Sequence, residues 1–320
     1  MTKPQSRITA SQISTENAIF IVAPRELSVR RFAQLLKRYL PKANIILGLS
    51  KAPYVAGFED QPQFKMLQLA DVELIINKIN EANPPHSIYT YEYAQPKLNA
   101  ILQSHDFKRI LLVNGSWKYA FHNSDAYKTL IDRGIEFKYI SPFADEDEAR
   151  AYEITHAPQL DFPEPGTVLS EQDMITAADQ AALQSFDYSF QTGVSLGRKA
   201  GDGYEYVVTA FNEVIPYQTY ALHHGNSREK NVSKPHDTNH YDTIHAEMQL
   251  LTKALAQNID LTGTTLFVNL LPCPNCARTL SQTAISEFVY RNDHSDGYAV
   301  QLLEACGKSV RRIQTKELML

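Results

Sequence analysis

Long apolar runs are missing from this chain of 320 residues. No stretch approaches the roughly 18 apolar residues that a membrane-spanning helix needs, and the opening MTKPQSRITASQISTENA has no apolar signal core. Both absences lead to the expectation of a cytoplasmic protein. Cysteine is scarce, with only Cys273, Cys276 and Cys306 present, and an odd, small number is not how a secreted disulfide framework is built. An excess of positive charge is also absent. Lys and Arg total 31 against 36 Asp and Glu, for a formal charge of −5. That balance argues against a broad grip on duplex nucleic acid, while leaving room for a local basic loop around a small phosphate. Neither GxxxxGKS/T nor GxGxxG occurs in the first half, so ATP or dinucleotide binding has no fingerprint there.

What is present is the composition of a globular protein, 43% hydrophobic and 21% charged. The length exceeds what one core usually organises, which predicts two domains. After a polar leader over 1–17, AIFIVAP and ANIILGL read as buried strands around the amphipathic LSVRRFAQLLKRYL. Helix and strand patterns then alternate: DVELIINKINEA, HSIYTYEYA, PKLNAILQSH, KRILLVNG, SDAYKTLIDRG and EFKYISPFA. This rhythm implies a Rossmann-like, mainly parallel α/β domain over 18–160. Ligands of such sheets sit at the carboxyl ends of strands, here Pro24 and Arg25, residues 50–58, and the NGSW stretch from Asn114 to Trp117. Lacking a nucleotide motif, this half is expected to serve structure or regulation. Pro158, Pro163, Pro165 and Gly166 deny the chain continuous helix or central strand and place a linker at 161–169.

The second half, 170–320, has a different order. A helix capped by Ser170, with Asp173 three residues on, precedes TGVSLGR and YEYVVTAF, two strands joined around AGDG. A long polar loop follows. Helix His245 to Gln257, strand TTLFVNL, helix Cys273 to Thr283, strand EFVYR, helix GYAVQLLEA and strand SVRRIQ complete a five-stranded mixed sheet layered with helices. Cys306 in the last helix reads as a small buried apolar residue.

Cys273 and Cys276 stand at a strand-to-helix junction in LLPCPNCART. A C-x-x-C at a helix start suits a redox pair, because the helix dipole favours a thiolate, and it equally suits half of a metal site. Upstream, TIHAEMQLL places His245 and Glu247 at the start of another helix, 28 and 31 positions before the cysteines when counted from His245. The ordered pair H-x-E then P-C-x-x-C is the signature of zinc deaminases. Zinc takes about four tetrahedral ligands, and a catalytic site supplies three and leaves one for water. His245, Cys273 and Cys276 can supply those three, with Zn2+ as the cofactor. Glu247, two residues beyond His245, points elsewhere on the helix and is free to move protons.

The resemblance extends past the site. TIHAEMQLL, LFVNLLPCPNCARTLSQTAISEFVY and DHSDGYAVQLLEACGKSVRRI look like the cytidine and deoxycytidylate deaminase superfamily, and most of all its dCMP deaminase group. This implies a cytidine-deaminase-like three-layer α/β/α fold with parallel fourth and fifth strands. It also implies hydrolytic conversion of a cytosine nucleotide, dCMP to dUMP, with loss of ammonia, and assembly into a homo-oligomer. VVTAFNEVIP resembles the family's second strand, which puts Asn212 where an asparagine helps hold the substrate sugar. The sequence departs from the group at Gln249, where HAExN has Asn, and at Asn269, in the T-x-x-P-C position. In the loop HHGNSREKNVSKPHDTNHYD, Arg228, Lys230 and Lys234 are candidates to neutralise a 5′-phosphate, or else form a solvated face. His223, His224, His236 and His240 are candidates for a second metal site. Competing readings are a deaminase of tRNA adenosine, free cytidine or cytosine in single strands, and a sensor whose N-terminal domain binds a regulatory nucleotide.

Overall fold

The computed structural model describes residues 18–22, 27–51, 67, 69–115, 125–188, 191–225, 243–293 and 296–313. The chain divides into two compact units, Met1–Tyr152 with Thr219–Tyr241, and Glu153–Gln218 with Asp242–Leu320. No helix among the described residues is long and apolar enough to cross a membrane.

In the first unit the five expected strands, β1 (Ala18–Val22), β2 (Asn44–Ser50), β3 (Ile88–Tyr93), β4 (Arg109–Val113) and β5 (Phe137–Ile140), form one sheet of order β3-β2-β1-β4-β5. Every pair is parallel. A strand buried on both faces must be apolar at every position, and AIFIV in β1 is buried throughout. Its alternate residues serve separate cores. Ile19 and Ile21 pack with Phe32 and Leu35 of α1 (Val29–Tyr39) and Val72 and Ile76 of α2 (Leu69–Glu81). Phe20 and Val22 pack on the opposite face with Leu98, Ile101 and Leu102 of α3 (Leu98–Ser104) and Leu130 of α4 (Asp125–Asp132). Strand order reverses between β1 and β4, the position where ligands bind in such sheets. Pro24, Arg25, Trp117 and residues 52–58, singled out for that role, lie outside the described residues.

The acidic stretch after Phe143, ahead of the expected linker, contains helix α5 (Glu146–His156). Glu146, Asp147 and Glu148 occupy its first turn, where the dipole favours negative charge, and the Glu148 N–H donates to Asp145 Oδ1 at 2.9 Å. The prolines that stop helix formation come only after it.

The second unit is a three-layer sandwich around a six-stranded mixed sheet of order β13-β12-β11-β7-β8-β6. A two-residue edge strand, β6 (Val168–Leu169), adds to the five expected: β7 (Gly193–Ala200), β8 (Gly203–Phe211), β11 (Thr264–Leu270), β12 (Glu287–Asn292) and β13 (Ser309–Arg312). β7 and β8 form a hairpin closed at Ala200 and Gly203, with Gly201 at φ 58° in the tight turn. β11, β12 and β13 run parallel, while β7 is antiparallel to β11. A small ladder of β9 (Glu213–Val214) and β10 (Thr243–Ile244) lies apart from this sheet.

One face of the sheet is covered by α6 (Glu171–Ala182), whose Ser170 and Asp173 form the reciprocal capping box. Met174 and Ile175 pack on Tyr204, Tyr206 and Phe267. The other face carries α7 (Ala246–Ala256), α8 (Pro274–Ser281) and α9 (Tyr298–Ala305), which bring Ala246, Leu250, Ala277, Leu280, Ala299 and Leu303 into one core with Leu196, Leu266 and Phe288. Cys306 is exposed rather than buried. It is the C-cap of α9, on the side of Ala299 and Leu303 but beyond the last helical residue, Ala305, and Gly307 at φ 77° then turns the chain away.

Gly193 is where α6 and β7 come closest. A Cβ there would stand 2.0 Å from the Ala178 carbonyl oxygen and 2.5 Å from the Ala182 nitrogen, both backbone atoms that cannot rotate aside. Gly193→Ala is therefore expected to lower stability by about 2–3 kcal/mol in chemical denaturation, as overpacking does. A second test concerns charge. Arg311 of β13 donates to Glu171, to Glu287 Oε1 at 2.8 Å and to the Tyr204 hydroxyl at 3.0 Å. The guanidinium holds the Glu171 carboxyl below the usual carboxylate range. A carboxylate whose folded pKa is depressed contributes stability above its unfolded value, near pH 4.3, and loses it as pH falls through the folded value. The difference in melting temperature between wild type and Arg311→Met is expected to be largest above about pH 5 and to shrink as the solution is acidified below about pH 4.

Candidate active site

The candidate metal ligands all stand where the chain turns into a helix. His245 is the N-cap of α7, with extended backbone at φ −61°, ψ 148°. It is placed by the β9–β10 ladder, in which Ile244 pairs with Glu213. Cys273 is the N-cap of α8, also extended at φ −64°, ψ 164°, and its sulfur accepts from the Cys276 N–H at 3.5 Å. Pro274 supplies the first helical residue, where a missing N–H costs nothing. The end of β11 is tied to β12 by the Leu271 N–H donating to the Asn292 carbonyl at 2.7 Å. Two helix starts, set by neighbouring strand ends, thus present their first side chains to one point.

His245 Nδ1 lies 3.6 Å from Cys273 Sγ and 3.4 Å from Cys276 Sγ. The three donor atoms lie within 4.8 Å of one another, and they are the one such group among the described residues. Tetrahedral zinc, with Zn–S near 2.3 Å and Zn–N near 2.0 Å, requires sulfur and nitrogen about 3.5 Å apart, so the donor spacing fits that ion.

The electrostatics point the same way. The Cys273 thiol is drawn down to about 3, chiefly by a hydrogen bond from Cys276. Cys276 is driven up, first by that same bond and then by burial beside the Glu247 carboxyl. Left to themselves the two thiols ionise once. Taking the second proton requires positive charge next to both sulfurs, which is what a divalent cation brings. His245 is shifted up, first by its hydrogen bond to Cys273.

Glu247 follows in the first turn of α7 and is only 3% exposed. Burial is the main cause raising its carboxyl above the ordinary range, and the carboxyl interacts with the Cys276 side chain. The structure thus brings His245, Glu247, Cys273 and Cys276 together from segments that are far apart in sequence.

Asn212 closes β8 and is 4% exposed. Its Oδ1 accepts from the Thr192 N–H at 2.8 Å, while its own N–H donates to the Thr192 carbonyl at 2.9 Å. The loop-bracing role that an asparagine can always play is therefore filled by its oxygen. Arg228, Lys230, Lys234, His236 and His240 lie outside the described residues. His223 and His224 belong to the first unit, where His223 Nδ1 meets Ser141 Oγ at 2.7 Å.

The two departures in sequence pattern are both buried or half-buried in hydrogen bonds. Gln249 Oε1 accepts from the Phe211 N–H at 3.0 Å and its amide donates to Glu213. Asn269 Oδ1 accepts from the Gly193 N–H at 3.0 Å, and its Nδ2 donates to the Gln191 carbonyl at 3.2 Å. Sequence marks these positions only as unusual. Their partners come from distant strands, so no local pattern shows what they bind.

Residues 171–292 match the family model of the cytidine and deoxycytidylate deaminase zinc-binding region. A deoxycytidylate deaminase of enterobacteria phage T2 is 38% identical over 47 residues, 15% of this chain and 25% of that protein. The ComE operon protein 2 of Bacillus subtilis strain 168 is 28% identical over 78 residues, 24% of this chain and 41% of its own. The chain thus spans between a quarter and two fifths of the length of these curated relatives. Among solved structures, a dCMP deaminase of cyanophage S-TIM5 in complex with dCMP and dUMP is similar at 17% identity, over 45% of this chain and 96% of that one, with a TM-score of 0.35.

Metal analysis checks the donor set directly. Purified protein is expected to carry about one zinc per chain, and Cys273→Ser and Cys276→Ser are each expected to lose it, because a site with two protein ligands no longer matches the three of a catalytic zinc centre. A stoichiometric Cys273–Cys276 disulfide without metal would restore the redox reading.

Proposed function

We propose, from the match of residues 171–292 to the cytidine and deoxycytidylate deaminase zinc-binding region, that this chain hydrolyses the amino group of a cytosine nucleotide, converting dCMP to dUMP and ammonia. The observation that carries this reading is the meeting of His245, Cys273 and Cys276, at 3.4 and 3.6 Å, with the buried carboxyl of Glu247 beside them. A zinc ion held by these three side chains supplies the field that lowers the pKa of water toward neutrality.

Glu247 is the proton carrier. Its carboxylate takes a proton from the attacking water and delivers it to N3 of the pyrimidine as oxygen adds to C4. It then takes the remaining proton from the new C4 hydroxyl and delivers it to the amino group, so that the C4–N bond breaks, the C4 carbonyl forms and ammonia leaves. Burial, which raises the affinity of this carboxyl for protons, suits a group that must hold one between two transfers. The two thiolates and the imidazole would stay in place as donors throughout.

Asn212 is the residue we assign to the sugar, and Arg228, Lys230 and Lys234 are those we assign to the 5′-phosphate, where cations favour a nucleotide over a nucleoside. To the first unit we assign a regulatory nucleotide, at the carboxyl ends of its parallel strands, the usual ligand position of such sheets.

Ammonia release from dCMP, CMP, dCTP, cytidine, deoxycytidine and adenine substrates tests the reading, with dCMP expected to give the highest kcat/KM. Glu247→Ala is expected to keep its zinc and lose at least about a hundredfold in kcat, the contribution of a positioned general acid–base. Full activity in that variant would remove Glu247 from the mechanism.

A further inference from the structure

The two places where the sequence leaves the dCMP deaminase pattern, Gln249 and Asn269, meet at one corner of the second unit. Thr192 and Asn212 are joined there by two reciprocal hydrogen bonds, one from the Thr192 N–H to Asn212 Oδ1 and one from the Asn212 N–H to the Thr192 carbonyl. Asn269 grips the backbone on both sides of Thr192, taking the N–H of Gly193 and donating to the carbonyl of Gln191. Gln249 grips both sides of Asn212, taking the N–H of Phe211 and donating to the side chain of Glu213. Glu213 in turn pairs with Ile244, the residue before His245, and Gln249 lies one helical turn beyond His245 on α7, its N–H bonded to the His245 carbonyl at 2.9 Å. The clamp on Asn212 is therefore built on the same helix start that presents the candidate metal ligand.

A carboxamide has one acceptor oxygen and two N–H donors. The oxygen of Asn212 is committed to Thr192, and its Nδ2 has no hydrogen-bond partner among the described residues although the residue is only 4% exposed. A side chain clamped in this way cannot flip its amide without stranding the Thr192 N–H, so it offers donors and no acceptor to a ligand.

We infer that Gln249 and Asn269 are positioning residues that act through Asn212, fixing its amide so that Nδ2 donates to a ligand acceptor oxygen. Resting on the deaminase reading, this acceptor is the sugar hydroxyl of the nucleotide. In a deoxynucleoside 5′-monophosphate the one free sugar hydroxyl is the 3′-hydroxyl, so the clamp selects for an oxygen at that position. Neither residue touches the reacting atoms, and the chemistry at C4 does not depend on them directly.

The test compares binding with turnover. Zinc-loaded wild type, Gln249→Leu, Asn212→Ala and the double variant are titrated calorimetrically with dUMP and with 2′,3′-dideoxyuridine 5′-monophosphate, which lacks the 3′-hydroxyl. Gln249→Leu is expected to weaken dUMP by about tenfold, the loss of one well-placed hydrogen bond, and to leave the dideoxy ligand unchanged. In the Asn212→Ala background the same substitution is expected to have no further effect. Gln249→Glu, which keeps the acceptor for Phe211 but sets a carboxylate against Glu213, is expected to fall on the weak side as well. With dCMP as substrate the loss should appear in KM, with kcat within about twofold. Equal weakening of both ligands, an undiminished effect without Asn212, or no binding of dUMP by wild type would each overturn the positioning role. Wild type that binds dUMP with the expected discrimination yet releases no ammonia from dCMP would leave the clamp standing and remove the deaminase reading instead.

Discussion

Bringing two thiols, an imidazole and a carboxyl into a space a few ångströms across is the constraint on which the second unit is organised. Such a cluster has no favourable state of its own: one thiol ionises, the second is held protonated, and the buried carboxyl gains affinity for protons. A cation at the centre of the donors opposes the two upward shifts and further favours the thiolate of Cys273. The surrounding fold also positions the donors. His245 and Cys273 are helix N-caps, and each helix start is set by a paired strand, β10 against β9 and β11 against β7 and β12.

Packing then holds the sheet that carries β11. α6 on one face and α7, α8 and α9 on the other bury separate apolar clusters against the same sheet, so the two helices that start at the candidate ligands share one core with it. The close approach of α6 to β7 at Gly193 belongs to this scheme. Gly193 also gives its N–H to Asn269, so one position serves both the tight layer packing and the polar corner around Asn212. Stability and site geometry share residues here, which is why a single added methyl group acts on both.

Much of this was legible in the residues. The five strands of the first sheet, the hairpin around Gly201 and the Ser170 capping box follow from apolar periodicity, turn glycines and the order of elements, while the parallel pairing of β12 with β13 was implied by the family resemblance. The four residues of the candidate centre were legible as well, because metal ligation demands particular residue types at particular helix starts. Helix α5 was not among the elements read from the sequence: with Ala149 its buried residue it has little apolar periodicity, and only the capping aspartate marks the acidic run as a helix N-terminus. Cys306 misled in the opposite sense, since its helix is amphipathic but ends before the apolar stripe returns to it.

Sequence alone determined which elements form and which side chains can ligate, since periodicity, capping and donor chemistry are properties of residue type and local order. Tertiary structure alone decided what Gln249, Asn269 and Asn212 do. Their hydrogen-bond partners are backbone groups and the Glu213 side chain, brought close by the tertiary fold from up to 78 positions away in the chain, and a buried amide takes its orientation from the groups that face it. Which end of the Asn212 amide remains for a ligand is set by that fold, and no local pattern carries it.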